Sequence, residues 1–151
     1  MTGFFGKGTG KKDDKGRLVL PAVFKAALAP LEDKTLVVKK DIYADCLEMY
    51  TFEEWQRQAE GIRASLDIVF NREHAAFWRR YMSDCATVVP DDKFGRITIP
   101  GELLDKIGVN KEVVFAGVGY KIEVWAKERR EAGLISDNEY QLTAEKLSHE
   151  R

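Results

Sequence analysis

Short stretches with apolar residues at alternate positions predict β-strands that occur in the same order in both halves of the chain. The alternation Leu18-Val19-Leu20 returns as Ile97-Thr98-Ile99, 79 residues later. The other predicted strands, two in each half, cover residues 36–39, 47–50, 112–115 and 121–125. The matching order predicts that the chain is a tandem duplication of one small unit.

Apolar residues at helical spacing predict a short helix after each alternating segment and two longer helices between the halves. Pro21 and Pro100 end the alternating segments and suit the first position of a helix, where a missing N–H leaves no bond unmade. Thr51 is predicted to cap the first long helix, and Glu54 completes a capping box. The second long helix is predicted over residues 71–82.

A turn sequence, Asp-x-x-Gly-Arg, precedes both alternating segments. An Asp side chain accepts backbone N–H groups two residues further on, and Gly adopts a positive φ without strain. The predicted turn-forming residues are Asp13, Gly16, Asp92 and Gly95. Each turn therefore places an arginine, Arg17 or Arg96, at the start of a strand.

The paired turns, each followed by Pro and a short helix, resemble the MraZ family of bacterial transcription regulators, which is built from two AbrB-like units. Phe4-Phe5-Gly6 also resembles the N-terminal pattern of that family. The resemblance implies an α+β fold in which two swapped-hairpin units interleave into one pseudo-twofold β-barrel with flanking helices. The implied division is a first unit at 1–52, linking helices at 53–82, a second unit at 83–128 and a C-terminal helical tail at 129–151.

Two details of the C-terminal tail are predicted from its own residues. A short helix is expected from residue 126 to residue 134. Residues 142–151 are polar and are expected to fray, although the resemblance implies some helix there.

The charge balance limits how strongly one copy of the chain would bind nucleic acid. The 24 Lys and Arg residues are matched by 25 Asp and Glu residues, and the pI is near 6.2. Residues 7–17 nevertheless carry a local net charge of +3, whereas the second turn is neutral because Phe94 replaces Lys15. The first turn is therefore expected to bind more strongly than the second, and several linked copies would be needed for useful affinity.

The resemblance implies a sequence-specific regulator that binds double-stranded DNA. Such a protein would form a ring-shaped homo-oligomer that binds promoter direct repeats. It would usually repress a cell-division and cell-wall operon, and it would be found in the cytoplasm and at the nucleoid. An Arg guanidinium can bridge guanine O6 and N7, and lysines fix the register through phosphates. The predicted DNA-binding residues are Arg17, Lys15, Arg96, Lys93, Lys11, Lys12 and Lys7.

Other interpretations of the basic residues remain open. An oligomeric structural or partner-binding protein could use the same fold without binding DNA. Arg72, Arg79 and Arg80 in the second long helix are interpreted as solvated surface or a subunit contact in preference to a nucleic-acid contact.

An enzyme with a site rich in Asp is the third interpretation, and the chain offers few parts for it. It has two His, two Cys and no Gly-x-Ser-x-Gly elbow, so no catalytic residue is predicted. The glycine-rich segment 6–11 lacks P-loop spacing and predicts an adaptable arm or an edge strand. No metal, cofactor, small-molecule ligand, signal peptide or membrane span is predicted, and Cys46 and Cys85 are expected to be free thiols.

Overall fold

The computed structural model describes residues 3–150 and contains eight strands and five α-helices in that part of the chain. The strands are β1 (Lys7–Lys11), β2 (Arg17–Val19), β3 (Leu36–Lys40), β4 (Leu47–Thr51), β5 (Ala86–Val88), β6 (Arg96–Thr98), β7 (Glu112–Gly117) and β8 (Ile122–Ala126). The helices are α1 (Ala22–Leu28), α2 (Phe52–Ala64), α3 (Arg72–Ser83), α4 (Gly101–Lys106) and α5 (Asp137–His149). The predicted mixture of helices and strands in two repeated units is confirmed.

The long helices begin at residues whose side chains satisfy the first free backbone N–H groups. Thr51 Oγ1 accepts the N–H of Glu54 at 3.2 Å, as predicted for α2. The Glu54 carboxylate accepts from Arg57 and Gln58, so among the described hydrogen bonds it does not complete the capping box. Asn71 Oδ1 accepts the N–H groups of Glu73 and His74 at the start of α3. These caps explain why both boundaries could be placed from the sequence.

The C-terminal tail differs from its prediction in two places. Two separate 3₁₀ turns, Lys127–Arg129 and Glu131–Gly133, replace the expected helix over 126–134. Residues 142–149, where fraying was expected, belong to α5, in agreement with the helix that the resemblance implied; α5 starts where Ser136 Oγ accepts the Glu139 N–H at 3.1 Å. A good cap followed by strong helix formers explains the length of α5.

The strands form two antiparallel sheets. The larger sheet has six strands in the order β1-β7-β8-β4-β3-β5, and the smaller sheet is the ribbon β2-β6. The larger sheet is open, with β1 and β5 as its edges, and no ladder among the described residues closes it into a ring. The predicted pseudo-twofold barrel is therefore not confirmed.

Strands from equivalent positions in the two repeats pair with each other. In the ribbon, Leu18 lies opposite Ile97. At the centre of the larger sheet, Glu48 of β4 lies opposite Glu123 of β8. The order of the larger sheet reads the same from either edge when each strand is replaced by its counterpart. The repeats are consequently interleaved, since each ladder of this kind joins one repeat to the other.

The core lies between the ribbon and one face of the larger sheet. The ribbon and its continuations contribute Leu18, Leu20, Ile97 and Ile99, all of which are at most 2% exposed. Side chains at alternate positions of the central strands meet them, among them Val38, Met49, Phe115 and Val124. Leu18 and Ile97 point inward, so their neighbours in the ribbon point outward.

β1 approaches the core with glycines at its inward positions. A Cβ on Gly8 would lie 2.6 Å from Cγ of Pro21, and one on Gly10 would lie 3.0 Å from Cε2 of Phe115. The distance at Gly8 is shorter than real Cβ contacts, and the one at Gly10 would require the Phe115 ring to shift by a few tenths of an ångström. The glycine-rich segment is therefore an edge strand, one of the two forms that the sequence analysis expected, and its glycines allow close packing.

Two glycines outside β1 give a paired prediction about stability. Gly61 lies near the end of α2, and a Cβ there would have no heavy atom within 4 Å. We expect Gly61→Ala to raise the free energy of unfolding by about 0.5–1 kcal/mol, because Ala loses less backbone entropy in a helix. Urea unfolding followed by circular dichroism measures the change.

Gly117→Ala is the contrasting variant. Its Cβ would lie 2.5 Å from the backbone carbonyl of Phe4, and backbone cannot move aside as a flexible side chain can. We expect Gly117→Ala to lower the free energy of unfolding by about 1–3 kcal/mol. A higher free energy of unfolding in both Gly61→Ala and Gly117→Ala would contradict the packing described at this edge.

Candidate nucleic-acid interface

The first Asp-x-x-Gly-Arg turn is organised around the Asp13 carboxylate. Asp13 Oδ1 accepts the backbone N–H groups of Lys15 and Arg17 at 3.0 and 2.8 Å. Asp13 Oδ2 accepts the Nε–H of Arg17 at 2.7 Å. Gly16 has a φ of +77°, which closes the turn without strain. One carboxylate thus shapes the backbone and orients the arginine at its end.

The second turn has the same design but uses a different carboxylate from the one predicted. Asp91 Oδ1 accepts the N–H groups of Phe94 and Gly95 at 2.7 and 3.1 Å, and Asp91 Oδ2 accepts the Arg96 Nε–H at 2.7 Å. The sequence prediction assigned this role to Asp92, which is exposed. The second turn is one residue longer than the first. The N–H of Asp91 donates to the carbonyl of Arg96, five residues on, whereas the N–H of Asp13 donates to the carbonyl of Arg17, four residues on.

The two arginines lie on the outward face of the ribbon. Arg17 is opposite Thr98 and Arg96 is opposite Val19, so all four side chains share the face that points away from the core. From this register, about 7 Å along the strands and about 5 Å across them separate the two arginine Cα atoms. The ribbon therefore presents both guanidinium groups on one small surface.

Each arginine keeps most of its hydrogen-bonding capacity. Among hydrogen bonds of residues 3–150, Arg17 and Arg96 use only Nε, and each side chain is 32% exposed. The four terminal N–H groups of each guanidinium remain for a ligand. An arginine held at Nε by a carboxylate has lost part of its rotamer freedom before it binds.

The second turn is covered more than the first. The Arg96 guanidinium lies 4.8 Å from the centre of the Phe94 ring, and a Cβ on Gly95 would lie 2.3 Å from Cδ of Lys25 in α1. Gly95 is thus needed for its φ of +67°, and a side chain there would also require the flexible Lys25 side chain to shift. A Cβ on Gly16 would meet nothing within 4 Å.

The predicted lysines fall into two groups. Lys15 and Lys93 are exposed within the turns beside the arginines, and the half-buried Lys12 precedes the first turn. Lys7 and Lys11 alternate along β1 with the inward glycines, so their side chains project from the opposite face of the sheet. Lys11 Nζ also lies 3.7 Å from Glu112. The structure therefore does not bring Lys7 and Lys11 onto the surface that carries the arginines.

The arginine partner lowers the pKa of the turn carboxylates. The side-chain hydrogen bond from Arg96 lowers the pKa of Asp91 to about 2. Backbone and side-chain hydrogen bonds from Arg17 lower the pKa of Asp13. Because the folded pKa of Asp91 is below the ordinary value of about 3.9, its ionised form stabilises the turn above about pH 4, and this contribution is lost as the pH falls toward 2.

This pKa gives a prediction for the Arg96–Asp91 pair. We expect the Asp91 carboxyl carbon to titrate near pH 2 in an NMR pH series, and Arg96→Gln to move its pKa upward toward the ordinary value. Arg79→Gln, an exposed change on α3, is the control and should leave it in place. An unchanged Asp91 pKa in Arg96→Gln would show that the pair does not form in solution.

A buried ionic network on the other face of the larger sheet was missed by sequence reasoning. Lys121 Nζ lies 2.6 Å from Glu48, 3.2 Å from Asp41 and 3.5 Å from Glu123. The network also includes Lys39, whose Nζ lies 3.5 Å from Glu48. The available signal was the apolar-Glu-apolar pattern at residues 47–49 and 122–124, which places two glutamates inside strands at equivalent positions.

The same network contains the one group of possible metal ligands found among residues 3–150. Oxygen atoms of Asp41 and Glu123 and the sulfur of Cys46 lie within 4.8 Å of one another. The Lys121 ammonium already supplies their positive partner, and burial raises the pKa of the Cys46 thiol to about 12. A protonated thiol is a poor metal ligand, so this cluster fits an ion-pair network better than a metal centre.

The helices give no support for a membrane-spanning role. Throughout residues 3–150, each helix is too short or too polar to traverse a lipid bilayer.

Comparison with known proteins agrees with the repeat and its turns. The profile of the MraZ protein family, described as antitoxin-like, matches residues 4–76 and 82–146. A protein of Bacteroides thetaiotaomicron named transcriptional regulator MraZ is 33% identical over 150 residues, covering 99% of this chain and 95% of the relative. Relatives with the same name occur in Bacteroides fragilis, with 34% identity over 99% of this chain and 94% of the relative, and in Lachnoclostridium phytofermentans, with 38% identity over 80% and 79%.

Proposed function

The chain belongs to the MraZ family, and from this membership we propose that it is a transcriptional regulator that binds double-stranded DNA in a sequence-specific manner. The outward face of the β2-β6 ribbon is the proposed binding surface. The observation that carries the proposal is the matched pair Arg17 and Arg96, each oriented at Nε by a carboxylate and each with its terminal N–H groups unused within residues 3–150.

The ribbon suits the major groove of B-form DNA. The groove is about 12 Å wide and admits a two-stranded β-ribbon. An arginine whose Nε is already held can direct both terminal nitrogens at guanine O6 and N7, the commonest specific contact. With their Cα atoms about 9 Å apart, the two arginines would read bases about two to three steps apart, given a rise of about 3.4 Å per base pair.

The lysines have a different proposed role from the arginines. Lys15 and Lys93, which lie in the turns, would contact phosphates and fix the register. Lys12 would extend this contact from the first turn. Lys7 and Lys11 would contribute through longer-range attraction, since their side chains leave the sheet on its other face. Asp13 and Asp91, with Gly16 and Gly95, would hold the turns in the binding shape.

Assembly into a ring is part of the proposal. A chain with a net charge of −1 and two short turns makes few phosphate contacts, so several linked copies are needed for useful affinity. Large apolar side chains of the linking region are exposed, including Val69 at 74% and Phe70 at 90%, and they offer a subunit contact. A head-to-tail contact that closes generates a ring.

The proposed target follows from the family resemblance. A ring that presents one ribbon per subunit would bind short direct repeats in the promoter of a cell-division and cell-wall operon and repress it. We place this activity in the cytoplasm, at the nucleoid, and assign no catalytic step to the chain. We further propose that the ribbon and the larger sheet form one pseudo-twofold barrel-like body.

A mobility-shift series on the DNA upstream of the gene tests the proposal. We expect retardation by an oligomer at low salt. If that oligomer neutralises about six phosphates, its affinity should fall about a thousandfold between about 50 and 200 mM salt. Native mass spectrometry of the same preparation measures the oligomer, and a DNA fragment with scrambled repeats measures specificity.

The alternative of an assembly protein makes the opposite prediction. A well-folded oligomer that fails to retard its own upstream DNA at low salt would overturn the proposal and favour that alternative. Equal retardation of scrambled and natural repeats would overturn sequence specificity.

A further inference from the structure

A cavity of about 550 Å³ lies away from the ribbon, where the start of the β3-β4 turn meets α3 and α4. This volume is in the range of small-molecule sites in proteins. Its wall combines Lys39 and Lys40 from the first repeat, Arg80 from the linking helix and Lys106 from the second repeat. A molecule in the cavity would therefore contact both repeats and the helix that joins them.

The wall carries more positive than negative charge. Four cationic side chains line it, and Asp41 and Asp84 are its two carboxylates. Asp41 is paired behind the wall with Lys121 at 3.2 Å, and Asp84 accepts from Arg80 Nε at 2.5 Å. Both carboxylates are thus already neutralised by close cations.

Two of the wall lysines are left without a close carboxylate partner among the described residues. Lys40 Nζ donates only to the backbone carbonyls of Asp41 and Ala44, at 2.8 and 2.7 Å. Lys106 Nζ is 3.9 Å from Asp84, which its closer partner Arg80 already engages. The surplus of about two positive charges matches a phosphate monoester, which carries about −1.5 to −2 at neutral pH.

The cavity also has an aromatic side. The Phe77 ring lies nearly parallel to the Tyr81 ring, with 6.1 Å between their centres, and Phe77 is 41% exposed. Lys39, which is 4% exposed, holds its Nζ 4.7 Å from the centre of the Tyr81 ring. A fixed aromatic face beside clustered cations favours a planar ring that is joined to an anionic group.

We propose that this cavity binds a nucleoside monophosphate, with the phosphate at Lys40, Arg80 and Lys106 and the base stacked on the exposed face of Phe77. A phosphodiester of DNA carries one charge per phosphate and matches the cavity less well than a monoester. The site is separate from the ribbon and its arginines. Binding at this site would allow a small metabolite to control the proposed regulator.

Isothermal titration calorimetry of the full-length chain, in the assembly it forms in solution, tests the site. AMP is the probe, with adenosine and inorganic phosphate as its two fragments. We expect saturable binding of AMP with one site per chain and weaker binding of either fragment. Arg80→Met with Lys106→Met should weaken AMP binding about tenfold or more, because both charge-assisted contacts are lost.

Matched variants separate the cavity from general positive charge. Arg79→Met with Lys111→Met removes two exposed cations that do not line the cavity and should leave AMP binding unchanged. Phe77→Ala should weaken AMP binding about tenfold and leave phosphate binding unchanged, because only base stacking is lost. An unchanged circular dichroism spectrum and an unchanged oligomer size would confirm that Arg80→Met with Lys106→Met is folded.

Several results would overturn the assignment. One is the absence of saturable binding heat with AMP at millimolar concentration. Another is an equal affinity for AMP in the two double variants. A third is adenosine binding as tightly as AMP. Inorganic phosphate binding as tightly as AMP would remove the base from the assignment and overturn the nucleotide site. Because none of these assays contains DNA, their failure is distinguishable from failure of the proposed DNA-binding function.

Discussion

The double variant Arg17→Ala with Arg96→Ala is expected to stop retarding the DNA upstream of the gene, while it keeps the fold and the oligomer size of the wild-type protein. Each bidentate arginine–guanine pair is worth about 1–3 kcal/mol of discrimination. In a ring, every subunit that contacts DNA loses these arginine contacts, so the affinity of the oligomer for DNA should fall by about a thousandfold or more. Mobility shift at low salt measures the loss.

The position of the arginines predicts that the fold survives this change. Both side chains lie on the outward face of the ribbon, and neither contributes to the core. Circular dichroism and native mass spectrometry should therefore match the unchanged chain. The matched control is Arg72→Ala with Arg79→Ala on α3, which removes the same charge from an exposed helix and should keep most of the retardation.

The single variants distinguish the two turns. We expect Arg17→Ala to cost more affinity than Arg96→Ala, because Lys15 supports the first turn where Phe94 stands in the second. Equal losses would show that the stacking of Arg96 on Phe94 compensates for the absent lysine. Undiminished binding by the double variant would exclude the ribbon as the binding surface.

The second large effect is expected for the buried network. Lys121→Met should lower the free energy of unfolding by about 3–5 kcal/mol, the usual cost of removing one partner from a buried ion pair. Lys121 is 5% exposed and is the positive partner of three carboxylates, those of Asp41, Glu48 and Glu123. Urea unfolding at neutral pH measures the loss, and Lys111→Met on the surface should change stability by less than about 0.5 kcal/mol.

The pH dependence of the same variant has a definite sign. Burial raises the pKa of Asp41, but hydrogen bonds from the backbone of Ala44 and Tyr43 and from the side chains of Glu48 and Lys121 together lower it to about 2. The wild-type protein therefore keeps the contribution of the ionised Asp41 above about pH 4 and loses it as the pH falls toward 2. In Lys121→Met, Asp41 loses one of the hydrogen bonds that lower its pKa, so it becomes protonated at higher pH, which relieves its repulsion with neighbouring carboxylates. The stability difference between the two proteins should therefore narrow as the pH is lowered from 7. A constant difference would show that the lysine acts through packing alone.

Local sequence signals placed most elements of the fold. Thr51 and its partner Glu54 fixed the start of α2, and the alternation at 18–20 and 97–99 fixed which side chains of the ribbon are buried. These signals are local because a cap or an alternating strand needs only its own neighbours. The repeat supplied the pairing of the halves, but the closed barrel implied by the family resemblance is not confirmed.

The sequence could not place what depends on distant contacts or on the exact length of a turn. Aligning the two motifs on their glycines assigns the second turn to Asp92, and only the backbone path shows that Asp91 holds Arg96. The ion pairs of Lys121 join residues 73 and 80 positions apart, and no local pattern predicts such partners. Lys7 and Lys11 are near the first turn in sequence, yet strand alternation turns them to the other face.

The pairing of equivalent strands bears on how the halves came to differ. Two identical halves would place identical residues opposite each other at the centre of each ladder between equivalent strands, as Glu48 and Glu123 still are. The position that Lys121 holds in the second half is held by Cys46 in the first. Joining both halves in one chain allows a single ammonium to serve both glutamates. A symmetric pair of separate halves would have had to accommodate two lysines or none.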